Sequence, residues 1–365
     1  MLKKTYLYFD DKKDTANAIK DNLESDSLEI IVKREQPWNN ILEFLLDQEC
    51  TFDGLILDWK LDGEDDSTAD FSSEALAQQC RRLQVDKVNN RGFTKSFPII
   101  LCSSQPKFTT IYEKDTTGED LFDRIFDKST LEDEEAFLLS LTSAYELLNQ
   151  TTNSVENILG LEKEDILNID QSLIKKISEI KDKQPHETIY FLLNEVININ
   201  GALVNEKVLA ARLGVKKGSE GWGLLLSKLE SFKYKGILSN ENRWWSDLIN
   251  DWWANEFNGS ILKFTTSSER IEYLENKYVD LKDKLSQPDL CVGADSTEFW
   301  TVCLGTNNPI SEIDGFIIDK HLHYSWQEKE FICLDEAKNE THRGTKWKAL
   351  LPYEEERLKL YFETL

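Results

Sequence analysis

The sequence predicts an α/β fold: a doubly wound, parallel, five-stranded sheet, followed by a mostly helical region and a small α+β unit at the C-terminal end. Two observations predict the sheet. Short β-rich runs alternate with amphipathic helical patterns along residues 1–150, which is the order of parallel strands joined by crossover helices. The stretch 52–60 runs Leu55, Ile56 and Leu57 directly into Asp58, as expected of a central strand that is buried on both faces.

The predicted elements alternate without interruption over this first part. The expected strands are Thr5–Phe9, Leu28–Val32, residues 52–58, Phe97–Cys102 and Arg124–Phe126. Apolar residues at helical spacing mark four helices, which contain in turn Ala16, Ile19 and Leu23; Trp38, Ile41, Leu42 and Leu45; Leu76, Cys80 and Leu83; and Phe137, Leu138, Leu141, Tyr145 and Leu148.

Polar and turn-rich segments divide the rest of the chain. Residues 151–154 form a polar break, and Pro288 with the turn-rich residues 293–296 marks another. The expected domains are therefore 1–150 for the parallel sheet, 151–287 for a helical domain and 288–365 for a small α+β domain. The last domain is expected to hold short strands at Phe299–Leu304, Gly315–Ile318 and Phe331–Leu334, and a terminal helix at Tyr353–Phe362.

Two patterns inside the helical domain each allow two interpretations. Glu206–Leu213 and Trp222–Phe232, separated by a turn, have the spacing of a DNA-reading helix-turn-helix, but few basic residues accompany them and a structural role is favoured. A tryptophan-rich stripe, taken as helical, is either core or a partner-binding surface, and core is favoured. The stripe comprises Trp244, Trp245, Leu248, Ile249, Trp252 and Trp253.

Bulk composition excludes several classes of protein. The chain has 365 residues and a formal net charge of −24, which argues against a nucleic-acid partner because phosphate binding depends on Lys and Arg. The six cysteines are scattered rather than arranged as a secreted disulfide framework, so they are expected to be reduced in a cytoplasmic protein. No apolar run approaches the roughly 18 residues of a membrane span, so no membrane association is expected.

Polar residues stand where the strands of the predicted sheet end. Asp10 and Asp11 follow the first strand, Asp58 ends the third, Ser103 the fourth, and Lys128 follows the fifth. The carboxyl ends of parallel strands meet at one edge of a sheet, where ligands bind. Converging carboxylates make an oxygen site for Mg²⁺, beside which one carboxylate can accept a phosphoryl group while a lysine and a hydroxyl bind its oxygens.

These residues, in this order, resemble the receiver domain of two-component response regulators over residues 1 to about 150. The resemblance implies a flavodoxin-like fold, a Mg²⁺ cofactor, phosphorylation of the acceptor Asp58 by a histidine kinase, and a homodimer as an option. The implied site residues are Asp58, Ser103 and Lys128 for catalysis, and Asp10, Asp11, Asp58 and Lys60 for the metal.

The chain also departs from the family pattern. Ser129 stands where the family has a proline after the lysine, and Lys60 replaces a residue that is usually neutral two positions after the acceptor. The segment 62–95 is longer and more polar than is usual, with an acidic loop expected at 63–66. Lys60 is expected to contact the phosphoryl group and alter its lifetime.

The expected function is therefore a phosphoacceptor signalling protein rather than an enzyme, with a C-terminal region that binds an unidentified downstream protein. Its architecture faintly resembles receiver proteins of bacterial conflict and phage-defence operons. Two alternatives stay open: a receiver-controlled hydrolase that uses Asp335, Glu340 or His342 as acid or base, and a DNA-binding response regulator. A zinc site in the C-terminal domain is a further option, for which the candidate ligands are Cys291, Cys303, His321 and His323.

Overall fold

The computed structural model describes residues 3–33, 37–47, 51–61, 71–85, 92–103, 121–150, 152–339 and 349–363. Contacts between residues divide the chain into two compact units. The first comprises residues 1–160, 177–192 and 236–241, and the second comprises 161–176, 193–235 and 242–365. The domain boundaries expected at residues 150 and 287 stay a prediction. None of the helices in the described ranges has the length and apolar character that a membrane span requires.

The first unit is built on the expected parallel sheet. Its strands are β1 (Lys4–Phe9), β2 (Leu28–Lys33), β3 (Gly54–Asp58), β4 (Ile99–Ser103) and β5 (Arg124–Asp127), and they are hydrogen-bonded in the order β2-β1-β3-β4-β5. The helices in this part are α1 (Lys13–Leu23), α2 (Trp38–Asp47), α3 (Ser73–Val85) and α4 (Glu135–Leu148). Every pair of neighbouring strands is parallel, and this strand order is that of a flavodoxin-like sheet. The predicted fold class is confirmed.

Burial explains why these residues form the sheet. All five residues of β3 and all five of β4 are buried, so their apolar side chains face helices on both sides. At the edge of the sheet where the strands begin, the Tyr6 ring packs against the backbone of Gly54. A Cβ atom on residue 54 would lie 2.3 Å from that ring. The Tyr6 hydroxyl donates to the Leu138 carbonyl, which ties β1 to α4.

A buried ion pair connects α3 to Asp123, the residue just before β5. The Arg81 guanidinium lies 2.9 Å from the Asp123 carboxylate, and the Tyr145 hydroxyl of α4 donates to the same carboxylate at 2.7 Å. Asp123 also accepts the backbone N–H of Ile99 at the start of β4. Because each buried charge has partners, the network fixes two helices against two strands without leaving an uncompensated ion.

The second unit is mostly helical, and its C-terminal part contains short strands followed by two helices in the described ranges. The elements that follow α4 in chain order are α5 (Val155–Leu159), α6 (Lys163–Ile166), α7 (Gln171–Ile180), α8 (Pro185–Leu192), β6 (Leu203–Asn205), α9 (Glu206–Leu213), α10 (Trp222–Lys228), β7 (Arg243–Trp245), α11 (Ser246–Glu256), α12 (Ser267–Lys277), β8 (Thr301–Val302), β9 (Pro309–Ile310), β10 (Phe316–Ile317), β11 (Phe331–Ile332), α13 (Leu334–Lys338) and α14 (Pro352–Glu363). Of these, α5 and α8 belong to the first unit, and α7 is divided between the two units.

The tryptophan-rich stripe is divided between a strand and a helix. Trp244 and Trp245 lie in β7, which pairs antiparallel with β6, so the prediction of one continuous helical stripe was wrong at its start. Aromatic residues fit a paired, half-buried strand, and the Val204 and Trp244 positions are register partners. Trp253 of α11 is fully buried, which places the stripe in the core of the second unit.

Candidate functional site

Strand register brings the polar strand ends together. Phe9 of β1 is level with Leu57 of β3, so the next residues, Asp10 and Asp58, lie side by side at the carboxyl edge of the sheet. Carboxylate oxygens of Asp10, Asp11 and Asp58 lie within 4.8 Å of one another. We call this group the acidic cluster.

Ser103 and Lys128 reach the same edge from the two following strands. Asp58 is the register partner of Cys102 in β4, and Ser103 is the partner of Asp127 in β5. The Lys128 N–H donates to the Ser103 carbonyl at 2.9 Å, which continues the pairing one residue beyond β5. Four neighbouring strands thus deliver all five of the residues that the sequence predicted for this edge.

Lys128 connects two members of the acidic cluster. Its ammonium nitrogen lies 2.7 Å from Asp10 Oδ2 and 3.1 Å from Asp58 Oδ1. Burial alone would lower the pKa of Lys128, but the Cys102 thiol and the two carboxylates outweigh it and raise that pKa. The lysine therefore stays charged where it faces the acids.

Asp10 is held in place by three donors. Its Oδ1 accepts the Lys12 backbone N–H at 2.7 Å, and its Oδ2 accepts the Tyr8 hydroxyl at 2.7 Å as well as the Lys128 ammonium. Tyr8 and Asp10 are two residues apart in sequence, so they project from the same face at the end of β1. Sequence reasoning missed Tyr8, although this period of two is a signal that identifies it.

The acidic cluster carries more negative charge than Lys128 can neutralise. Burial raises the pKa of Asp58 to about 6; Lys128 opposes the rise, and Asp10 and Asp11 add to it. Burial and the neighbouring Asp10 also raise the pKa of Asp11. Asp11 Oδ1 is buried and has no hydrogen-bond partner among the described residues. An unpartnered oxygen between repelling carboxylates fits a hard cation such as Mg²⁺.

Lys60 is placed differently from the other proposed metal ligands. Its side chain is exposed, two residues beyond the acceptor Asp58. A charged ammonium has no lone pair to offer, so Lys60 can bind a metal only through its main-chain carbonyl. The acidic loop expected at 63–66 lies outside the described residues.

The loop after Lys128 turns without the proline that the resemblance implies. Asp127 Oδ1 accepts the Ser129 backbone N–H at 2.8 Å and the Ser129 hydroxyl at 2.6 Å, which is an Asx turn. The residues described contain no cis peptide bond. Ser129 therefore has its own structural role, because its two donors to Asp127 shape the turn that follows Lys128.

The other candidate sites are arranged less favourably. On the predicted helix-turn-helix, now α9 and α10 with their connection, Lys216, Lys217 and Lys228 form ion pairs with carboxylates at 2.7, 3.1 and 2.9 Å, so their charge is locally compensated. His323 Nδ1 lies 3.0 Å from Glu195 Oε1. Among the described residues, the metal-capable group that holds Cys291 and Cys303 contains no histidine. Glu340 and His342 lie outside the described residues.

Comparisons with known proteins give the following similarities. No family model matches the chain, and no curated protein matches it. Among solved structures, the receiver domain of the Francisella response regulator 1452 is similar at 17% identity, covering 38% of this chain and 97% of that one, with a TM-score of 0.27. A receiver domain from Methylobacillus flagellatus has 19% identity over 38% of this chain and 98% of that one, with a TM-score of 0.28.

A third solved structure, a receiver domain protein from Clostridium thermocellum, has 16% identity over 40% of this chain and 98% of that one, with a TM-score of 0.29. Each of these three similarities covers about two fifths of this chain.

Proposed function

We propose that the first unit is a phosphoacceptor module in which Asp58 takes a phosphoryl group from a phosphohistidine of a histidine kinase, in a Mg²⁺-dependent reaction. One observation carries the proposal: Lys128 contacts Asp58 and Asp10 beside a buried, unpartnered oxygen of Asp11. A carboxylate nucleophile, a fixed cation and neighbouring carboxylate oxygens that can bind a hard cation are the parts that phosphoryl transfer to an aspartate requires.

Each side chain has a distinct part in this proposal. Asp11 and Asp58 supply the metal ligands, and the main-chain carbonyl of Lys60 is the third candidate. Asp10 accepts three hydrogen bonds and so orients Lys128 and the metal site. Bound Mg²⁺ would supply positive charge for the carboxylates and for the incoming phosphoryl oxygens.

The proposed transfer is a nucleophilic displacement at phosphorus. A carboxylate oxygen of Asp58 forms a bond to phosphorus while the phosphorus–nitrogen bond of phosphohistidine breaks, and the departing imidazole nitrogen keeps the electron pair and is protonated. An acyl phosphate on Asp58 results. Lys128 then exchanges its 3.1 Å contact with the Asp58 carboxylate for the phosphoryl oxygens, and the Ser103 hydroxyl donates to one of them.

The test uses acetyl phosphate as donor and beryllofluoride as a stable mimic of the phosphoryl group. The wild-type chain is expected to gain one phosphoryl group, seen by intact mass, only when Mg²⁺ is present. Asp58→Asn should abolish the adduct, Asp11→Asn should weaken it by weakening Mg²⁺ binding, and Lys128→Ala should keep Mg²⁺ binding but slow the transfer. Asp14→Asn is the matched control, because Asp14 is exposed on α1 and lies outside the acidic cluster. No adduct on the wild-type chain in saturating Mg²⁺ would contradict the proposal.

The setting proposed for this chemistry is a cytoplasmic two-component system whose output is a protein partner of the C-terminal region, in line with the sequence resemblance to phage-defence receiver proteins. Phage challenge of cells that carry wild-type or Asp58→Asn protein tests the setting. The DNA-binding alternative gains no support from α9, α10 and their connection, because Lys216, Lys217 and Lys228 are paired with acids. The hydrolase alternative gains none from the described residues around Asp335.

A further inference from the structure

Three cysteines from separate segments of the second unit meet in its C-terminal part. The sulfur atoms of Cys291, Cys303 and Cys333 lie within 4.8 Å of one another, and all three residues are buried. None of them forms a disulfide. The sequence separations of 12 and 30 residues explain why spacing alone did not identify the group. We call it the cysteine cluster.

Each cysteine is held by main-chain structure rather than by a flexible loop end. Cys303 directly follows β8 and bridges to Phe331 of β11, while Cys333 directly follows β11 and precedes α13. The Cys333 N–H donates to the Cys303 sulfur at 3.2 Å. The Cys291 carbonyl accepts the Ala294 N–H at 3.1 Å in a tight turn. The three sulfurs are therefore positioned before any ligand binds.

Glycines allow the three segments to approach this closely. Gly293 and Gly305 each follow a cysteine of the cluster by two residues, in Cys291-Val292-Gly293 and Cys303-Leu304-Gly305. A Cβ on Gly293 would lie 2.9 Å from the Leu334 side chain, and a Cβ on Gly305 would lie 2.4 Å from the Glu336 side chain. Gly293 also has a φ of 78°, which other residues rarely adopt. The two cysteine turns thus pack directly against the helix that begins after Cys333.

We propose that the cysteine cluster binds one thiophilic divalent cation of the zinc class, through three thiolates. Zinc–sulfur bonds of about 2.3 Å in a tetrahedron place sulfurs about 3.8 Å apart, which the 4.8 Å limit accommodates without rearranging the backbone. Binding replaces three S–H protons by one cation and releases three protons. A water molecule or another group outside this trio takes the fourth position.

The surroundings of the sulfurs fit thiolates as well as thiols. The Cys291 sulfur lies 3.7 Å from the Thr306 hydroxyl, which can donate to a thiolate, and 3.7–3.8 Å from the carbonyls of Pro309 and Asn308, which accept only from a thiol. The Cys333 N–H is a fixed donor to Cys303 in either state. The same contacts also fit three reduced thiols that pack together without a metal. A measurement of metal binding distinguishes that explanation from the proposed site.

The experiment uses the full-length wild-type chain, purified under reducing conditions from cells supplied with zinc and passed through a column in excess Mg²⁺ to displace zinc from the acidic cluster. Mass spectrometric elemental analysis should find about one zinc per chain. Exchange with Co²⁺ should produce sulfur-to-cobalt charge-transfer absorption, because thiolate ligands give this band and carboxylates do not. Cys303→Ser and Cys291→Ser should each lower the band by about a third or abolish it.

Two controls make the result specific. Cys80→Ala removes a buried cysteine of α3 outside the cysteine cluster, and Asp58→Asn disables the acidic cluster; both should keep the full band. The zinc and cobalt measurements on the wild-type chain test the proposal even if a serine variant fails to fold. Fully reduced wild type without zinc and without a charge-transfer band would overturn the proposal, as would a disulfide between two of these cysteines in metal-free protein.

Discussion

The charge on Asp58 is set by side chains that other strands bring to it. Burial raises its pKa to about 6, Lys128 opposes this rise, and Asp10 and Asp11 contribute to it. A fraction of Asp58 is therefore protonated in mildly acidic solution, and a protonated carboxyl binds Mg²⁺ poorly. The same residue must lose its proton before it can act as a nucleophile.

Mg²⁺ affinity is accordingly expected to depend on pH. Below about pH 6, the apparent affinity should fall by up to about tenfold per pH unit, because binding must displace the Asp58 proton. Above that pH the affinity should level off. Calorimetric titration between pH 5 and 8 measures this dependence. Asp58→Asn should bind weakly with a shallower slope, and equal slopes for the two proteins would show that Asp58 is not the group that titrates.

Lys60 is expected to change the lifetime of the acyl phosphate and not its formation. Its exposed ammonium, two residues from the acceptor, can favour the charged phosphoryl oxygens and obstruct an attacking water. Lys60→Asn should therefore accept a phosphoryl group at an unchanged level but lose it at a different rate. Decay is followed by intact mass after the donor is removed, and Lys3→Asn, at an exposed position just before β1 and away from the acidic cluster, is the control. Identical decay for Lys60→Asn and wild type would remove Lys60 from the mechanism.

At the level of secondary structure, α11 carries two adjacent tryptophans in different environments. Trp253 is fully buried with its ring centroid 4.3 Å from that of Phe257, whereas Trp252 is only partly buried at the edge of the same core. The tryptophan to mutate in testing the core assignment is therefore Trp253.

Trp253→Ala is expected to lower the free energy of unfolding by about 3–5 kcal/mol, because it leaves a large cavity that its rigid neighbours cannot fill. Trp252→Ala, the matched variant one residue earlier, should cost clearly less because its side chain is partly solvated. Urea unfolding followed by circular dichroism compares them. Equal losses, or a larger loss for Trp252→Ala, would contradict the packing described here.

The sequence was most informative where one local signal determined the structure. The apolar run into Asp58 and the alternation of strands and helices predicted the sheet and its acidic edge, because a strand that is buried on both faces has a nearly continuous apolar sequence. The spacing of Trp244 and Trp245 predicts a helix, but the two residues form a strand because β7 pairs with β6, whose Val204 and Leu203 are 40 and 42 residues away. The cysteine cluster was missed for the same reason, since Cys333 joins it only through the fold.

At the scale of the whole molecule, the first unit is not a continuous stretch of chain. It takes in residues 177–192 and 236–241 in addition to 1–160. Helix α8 packs on α4, and the Ile237 N–H donates to the Ile158 carbonyl at 2.9 Å. Buried apolar residues of α8 include Ile189 and Leu192.

A fragment that ends at residue 150 is therefore expected to be less stable than one that ends at residue 192. The shorter fragment lacks α8 and leaves apolar surface of α4 in water, which costs about 25 cal/mol per Å² exposed. Its urea midpoint should be lower, and it should bind more of a hydrophobic dye. Equal midpoints and dye binding would support an independent domain at 1–150.

The discontinuity of the first unit also has a consequence for biosynthesis. When residue 160 has left the ribosome, the sheet is complete, but residues 236–241 have not yet been made. At about 5–20 residues per second, residue 241 leaves the ribosome roughly 4–16 s after residue 160. During this time, residues 161–176 and 193–235 of the second unit emerge before residues 236–241 of the first unit. The nascent chain therefore exposes an unfinished first unit during this interval, and we expect slower translation along residues 161–241 to prolong that exposure.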